Sequence, residues 1–385
     1  MKKLPRAVFV VLLLSTAMFI GFIRPTVAEE TIYIRSNGMV DPPTAPISPS
    51  ADNITYYLTS NILGHIAVQR DNIVVDGVGY TIEGAYNGTG VDLTGRYNVT
   101  IKNMEIKAFA FGIRLYLSSK ITVYGNNITS NDYGIQLYGS SSNIISGNNI
   151  TSNDYGIKSE GASNTIISGN KIDNINRGIW LQGSPNNTLS GNKITNNNQG
   201  IYLEDSSDNT LSGNNLTANN YHGIGLFGSS GNTLSGNNLT ANIAEGIWLY
   251  DSSSNIISGN NVTSNDYGIQ LLDSSNNIIY NNNFVDNAEH VFSAGSTNVW
   301  DNGYPSGGNY WSNYADVDQY SGPYQNETGS DEIWDNPYLI DEYNVDNYPI
   351  VPEFPTKAST LFILIVLTVA IVIHRRKLLN TRIFV

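Results

Sequence analysis

The sequence predicts an all-β protein: a right-handed parallel β-helix solenoid of about ten 22–23-residue coils, set between an N-terminal signal and a C-terminal transmembrane segment. Three observations predict it. A Gly-Ile pair recurs at Gly112, Gly134, Gly156, Gly178, Gly200, Gly223, Gly246 and Gly268, in steps of 22 or 23 residues, and Gly90-Val91 extends the series backwards. Inside each unit the apolar residues alternate, as Ile201 and Leu203 do around Tyr202, which is the two-residue period of strands. The remainder is Asn, Ser and Gly with no helical apolar period, a composition that disfavours helix.

The elements follow in order. Lys2, Lys3 and Arg6 precede an apolar run, Ala7 to Phe22, and Thr26 and Ala28 are placed for cleavage before Glu29, so residues 1–28 read as an export signal. Residues 29–65 read as an N-terminal cap, which a solenoid needs to cover its open edge. Residues 66–298 hold the coils. In the unit Gly200 to His222, Asp205-Ser206-Ser207 and Ser212-Gly213 are turn-like and separate three short strands. One coil alone cannot bury Ile201, Leu203, Leu211 and Leu216, but stacked coils pair each strand with its copy about 4.8 Å away. The recurrent Asn148, Asn170, Asn192 and Asn214 then point inward at a turn and form an amide ladder. A leucine-rich repeat is the competing reading of Leu211 to Thr217, but Asn209 and Ser206 stand where it needs leucines. Residues 299–350 form an acidic, aromatic C-terminal cap. Residues 351–377 carry VPEFP, the apolar run Ala358 to Ile373 and a basic stop, and 378–385 a cytoplasmic tail. The apolar run is short against the ~20 residues a bilayer needs, and the basic cluster after it stays cytoplasmic.

Charge bounds the partners. The part between signal and anchor carries 33 acidic against 11 basic residues, a net −22, whereas the whole chain is −13. Such a surface repels nucleic acid and anionic lipid. The absence of cysteine excludes disulfides, zinc-thiolate sites and cysteine nucleophiles.

The repeated Gly-Ile-x-Leu and Ser-Gly-Asn-Asn-Ile/Leu-Thr units resemble the NosD-like parallel β-helix family over roughly Ile66 to Asp301, and Asn298 to Tyr314 resembles the tail segment of archaeal members. The resemblance implies the fold and a domain shared with carbohydrate-binding and sugar-hydrolysing proteins. It also implies copper delivery to nitrous oxide reductase. Copper takes Cys, Met or His ligands. Here His65, His222 and His290 are far apart in the chain, and the exported part has only Met39 and Met104, so that role is not carried over. Val351 to Pro355 with the tail resembles archaeal PEF-type sorting signals, which implies cleavage and surface attachment by a membrane sortase.

Two residues after each repeat glycine stand Arg114, Gln136, Lys158, Trp180, Tyr202, Gly225, Trp248 and Gln270, one outward column by alternation. Trp180, Tyr202 and Trp248 are the glycan-binding candidates, since flat rings in a row suit sugar stacking; such rings also simply pair with one another. The chain has ten Asn-x-Ser/Thr sequons. Asn127, Asn149, Asn215, Asn238 and Asn261 occupy one repeat position, point outward, and are the glycosylation candidates. Asp316, Asp318, Asp331 and Asp335 are a weak calcium set; apart from calcium no cofactor is expected. Asp132, Asp154 and Asp266 recur in identical Ser-Asn-Asp-Tyr-Gly units, which marks a turn and not one catalytic site. The expectation is a surface-anchored, non-catalytic β-helix whose partner is a polysaccharide or cell-surface glycan. The alternatives are a polysaccharide-modifying enzyme and a structural or adhesive layer component.

Overall fold

The computed structural model describes residues 30–352. The expected signal, transmembrane segment and cytoplasmic tail, and all of the sorting motif except Val351 and Pro352, lie outside the described residues. The described chain is all β, a parallel solenoid of about eleven turns, and divides into two compact units between Ile179 and Trp180.

In the first unit each coil gives a long strand, such as Phe111–Tyr116, then two short ones, Thr122–Tyr124 and Asn127–Thr129. Each pairs in parallel with its copy one coil on, so identical positions stack. Ile66, Val91, Ile113, Ile135 and Ile157 form one interior column, all with no exposed surface. Val75, Ile101, Val123, Ile145 and Ile167 form a second, and Ile82, Ile106, Ile128, Ile150 and Ile172 a third. Parallel stacking begins already at Glu30–Ile34, which pairs with Ile62–Val68 inside the expected cap. The antiparallel strands Val40–Asp41 and Ile47–Pro49 belong to this end.

The second unit repeats the plan with leucine. Leu189, Leu211, Leu234, Ile257 and Ile279 are one column; Ile194, Leu216, Leu239, Val262, Phe284 and Trp311 are another. Between columns, buried polar residues bond to one another along the stack. Asn192, Asn214, Asn237, Asn260, Asn282 and Asn309 form the expected ladder, each amide oxygen accepting from the backbone and side-chain N–H groups one coil before. Two further Asn ladders run from Asn187 to Asn298 and from Asn197 to Asn287. A serine ladder, in which each hydroxyl accepts from the preceding coil's backbone N–H, runs from Ser184 to Ser296. The glycine of the Ser-Gly-Asn turn is required by backbone shape: Gly213 has φ +61°, where a Cβ is strained.

Candidate functional site

In the second unit, alternation buries Ile201 and Leu203 and sends the residue between them to the outer face. Parallel register then aligns Tyr202, Gly225, Trp248, Gln270 and Phe292. Trp180 is half-buried on its own strand, and its indole Nε1 donates to Glu204 Oε2 at 3.2 Å. Trp248 is also half-buried. Tyr202 departs from the expected open row: it is only 9% exposed. Its ring lies 6.5 Å from that of Trp248, nearly parallel, although the two are two coils apart.

What brings them together is a residue the column did not include. The His222 ring stacks on Trp248 at 4.7 Å and 7°. At Gly225 a Cβ would meet His222 Cδ2 and Tyr202 Cδ2, both at 3.1 Å, so the missing side chain makes room for these two rings. His222 is held from the side: its Nδ1 lies 2.7 Å from Glu245 Oε2, and both residues are 9% exposed. The sequence carried a signal for this pair. Most coils of 22 residues have two residues between the ladder asparagine and the next glycine, as between Asn197 and Gly200; the two 23-residue coils have three, as does the corner between Asn174 and Gly178. His222 and Glu245 each close one of those longer corners. The stack continues to Tyr250, 5.9 Å from Trp248, and Tyr250 stacks on Phe227 at 5.4 Å. The result is a row of ring planes bordered by Glu204 and Glu245.

The sequon asparagines are outward, as expected, but they too form a ladder. Asn149 Nδ2 donates to Asn127 Oδ1 at 2.7 Å, Asn238 to Asn215 at 3.0 Å, and Asn261 to Asn238 at 2.9 Å. Asn215 is exposed at the start of its run.

The four aspartates of the calcium set hold loops. Asp316 accepts from Asn336, Asp318 from Ser330 and the Asp331 and Glu332 backbone, Asp331 from Gln325 and the Ile333 backbone, and Asp335 from the Gln319 and Tyr320 backbone. Among the described residues no three His, Cys, Asp or Glu side chains gather where they could hold a metal.

Stacked strands and interior Asn and Ser ladders define a parallel β-solenoid protein, here with an outward ring column. The chain belongs to the NosD family, described as periplasmic copper-binding proteins, whose profile matches residues 50–211 and 159–316. No curated protein matches it in sequence. Among solved structures it is similar to the A-modules of the Azotobacter vinelandii mannuronan C-5 epimerases AlgE6 (TM-score 0.52) and AlgE4 (TM-score 0.51), each at 15% identity over 66% of this chain and 96% of that one. A tailspike protein of E. coli bacteriophage HK620 is similar at TM-score 0.48 and 10% identity, over 78% of this chain and 61% of that one. At these identities the likeness is one of fold.

The family's copper finds no matching donors among the described residues. His65 Nδ1 bonds the Thr89 carbonyl, His222 bonds Glu245, and His290 sits between Asn287 and Ser312. Met104 is 2% exposed in the core, and Met39 stands alone at 61%. A soft cation needs several such ligands at one point, and here they are dispersed.

Proposed function

We propose that the protein is a non-catalytic cell-surface β-helix that binds glycans through the outward ring row of Trp180, Tyr202, His222 and Trp248. The supporting observation is the pair of half-buried indoles, Trp180 and Trp248, each fixed by a polar or stacking neighbour, since rings already immobilised lose little entropy when a sugar stacks on them. Beside them the half-buried Glu204 offers a carboxylate to sugar hydroxyls. The tail after Pro352 holds the exported chain at the surface, either as a plain anchor or after sortase cleavage. The test is retention of the full chain on immobilised polysaccharides. Trp180→Ala with Trp248→Ala is expected to lower retention at least tenfold with the thermal midpoint little changed, and unchanged retention overturns the reading.

A second reading, a polysaccharide-modifying enzyme, is favoured by one observation. Glu245 Oε2 lies 2.7 Å from His222 Nδ1, the carboxylate–imidazole pairing by which a general base is oriented. New products in mass spectra of the incubated polysaccharide would select it.

A further inference from the structure

The outer face of the first unit has a different chemistry. Its column reads Asp92, Arg114, Gln136 and Lys158 in register. Ring ladders flank it on both sides. Phe111, Tyr133 and Tyr155 stack at 5.3 and 5.0 Å along one edge, and Tyr116 and Tyr138 at 5.1 Å along the other. The Arg114 guanidinium lies between the ladders, its carbon 5.4 Å from the Phe111 ring centre and 5.3 Å from that of Tyr116.

Arg114 has no anion. Among the described residues its guanidinium makes neither a hydrogen bond nor an ion pair, and its Nε is buried without an acceptor. The neighbour that register provides, Asp92, is bonded elsewhere: its Oδ1 accepts from the Thr94 backbone at 2.9 Å and the Thr94 hydroxyl at 2.6 Å. Nearby cations are matched differently. Lys102 pairs with Asp76, Lys107 with Glu83, Arg96 with Asp71 and Lys158 with Glu160. A guanidinium wedged between rings has given up part of its hydration, and its planar fork fits a carboxylate or sulfate through two parallel bonds. Beside it, on the same face, a groove of about 480 Å³ runs over Tyr33, His65, Ala67, Thr89 and Asp92. Overall charge permits an anion here: residues 30–179 carry ten Lys and Arg against twelve Asp and Glu, whereas residues 180–352 carry one against nineteen.

We propose that Arg114 anchors the anionic group, carboxylate or sulfate, of an acidic polysaccharide whose sugars lie along the flanking ring ladders and the adjoining groove. The polymer follows from the geometry, because the rings repeat every 5.0 to 5.3 Å along the stack and offer an extended track. The proposal rests on the glycan-binding reading for the kind of ligand and adds its charge and its place.

The experiment measures retention of the full chain on a neutral β-glucan, on polygalacturonate and on dextran sulfate at fixed ionic strength. The proteins compared are wild type, Arg114→Gln, Arg114→Lys and the Trp180→Ala/Trp248→Ala double variant. Arg114→Gln is expected to weaken binding to the acidic polymers about tenfold and to leave neutral glucan unchanged, as loss of one charge-assisted pair implies. Arg114→Lys is expected to restore part of the loss, and it answers the question if the Gln variant does not fold. Whichever acidic polymer binds names the group. Equal acidic retention by folded Arg114→Gln or Arg114→Lys and wild type, or wild-type retention on neutral glucan alone, overturns the proposal and leaves the glycan reading standing. Retention on no polymer overturns both.

Discussion

Asparagine does two jobs in this chain, and the direction of its side chain decides which. Asn214 shows the inward one. Its oxygen accepts from Asn192, and its Nδ2 donates to the Leu189 carbonyl and to Asn237 Oδ1. Asn214→Ala removes these bonds, strands the buried Asn192 donors and takes a donor from the Leu189 carbonyl and Asn237 Oδ1, so a loss of about 3 kcal/mol is expected from denaturant unfolding. One residue later, Asn215 is outward and exposed. The amide nitrogens of Asn149, Asn238 and Asn261 are donors within the outer ladder, and a glycan there would break it. Peptide mapping of native protein is therefore expected to find any glycan at Asn215 ahead of Asn238 and Asn261; full occupancy of all three would show that the outer ladder is dispensable. The inward role was legible in the recurrence of Asn148, Asn170, Asn192 and Asn214. The outer ladder was not, because pairing of outward amides depends on register between coils.

The coil is set by its glycine and by its length. A Cβ at Gly134 would stand 2.6 Å from the Gly156 carbonyl oxygen and 2.9 Å from Ile150 Cγ2. Gly134→Ala is expected to destabilise by about 2–3 kcal/mol through overpacking, read as a lower denaturant midpoint. Coil length matters as much. The extra residue in the two 23-residue coils brings His222 and Glu245 into contact, and His222 fills the gap over Gly225. His222→Ala leaves a Glu245 carboxylate that is 9% exposed without its partner, and a loss of about 3 kcal/mol is expected. His222→Ala with Glu245→Ala is expected to recover part of it; additive losses in this double-mutant cycle would mean the pair is not coupled. The 22- and 23-residue steps were visible in the sequence, yet their consequence needed two coils placed side by side.

A solenoid must also end. At the C-terminal end of the second unit, Trp311 stacks on Phe284 at 4.6 Å, and the buried Asp346 accepts from the Trp311 indole, the Asn309 backbone and the Tyr348 backbone. Burial pushes the Asp346 carboxyl up to about 7, against the pull of those N–H donors. The folded state thus holds its proton more tightly than the unfolded chain, whose carboxyl titrates near 4. This contribution to stability is full below pH 4 and is lost as the pH rises to 7. The thermal midpoint followed by tryptophan emission is expected to include a fall across that range that is absent from Asp346→Asn, which is neutral at every pH. An identical pH profile in both proteins would remove Asp346 as its source. The cap's acidity and aromaticity were legible from residues 299–350, but the single buried carboxylate was not, since nothing local distinguishes Asp346 from Asp341.

The repeat, the interior columns and the all-β class follow from sequence because alternation and a near-constant period act locally and repeat the same physics in each coil. The outward direction of Trp180 and Trp248 follows for the same reason. Tertiary structure alone decided that Tyr202 is covered, that His222 enters the ring row and that Arg114 is left without an anion between two ring ladders. Each depends on which side chains from different coils reach one point, and register, corner length and the partner a neighbouring carboxylate takes are set only when the coils stack.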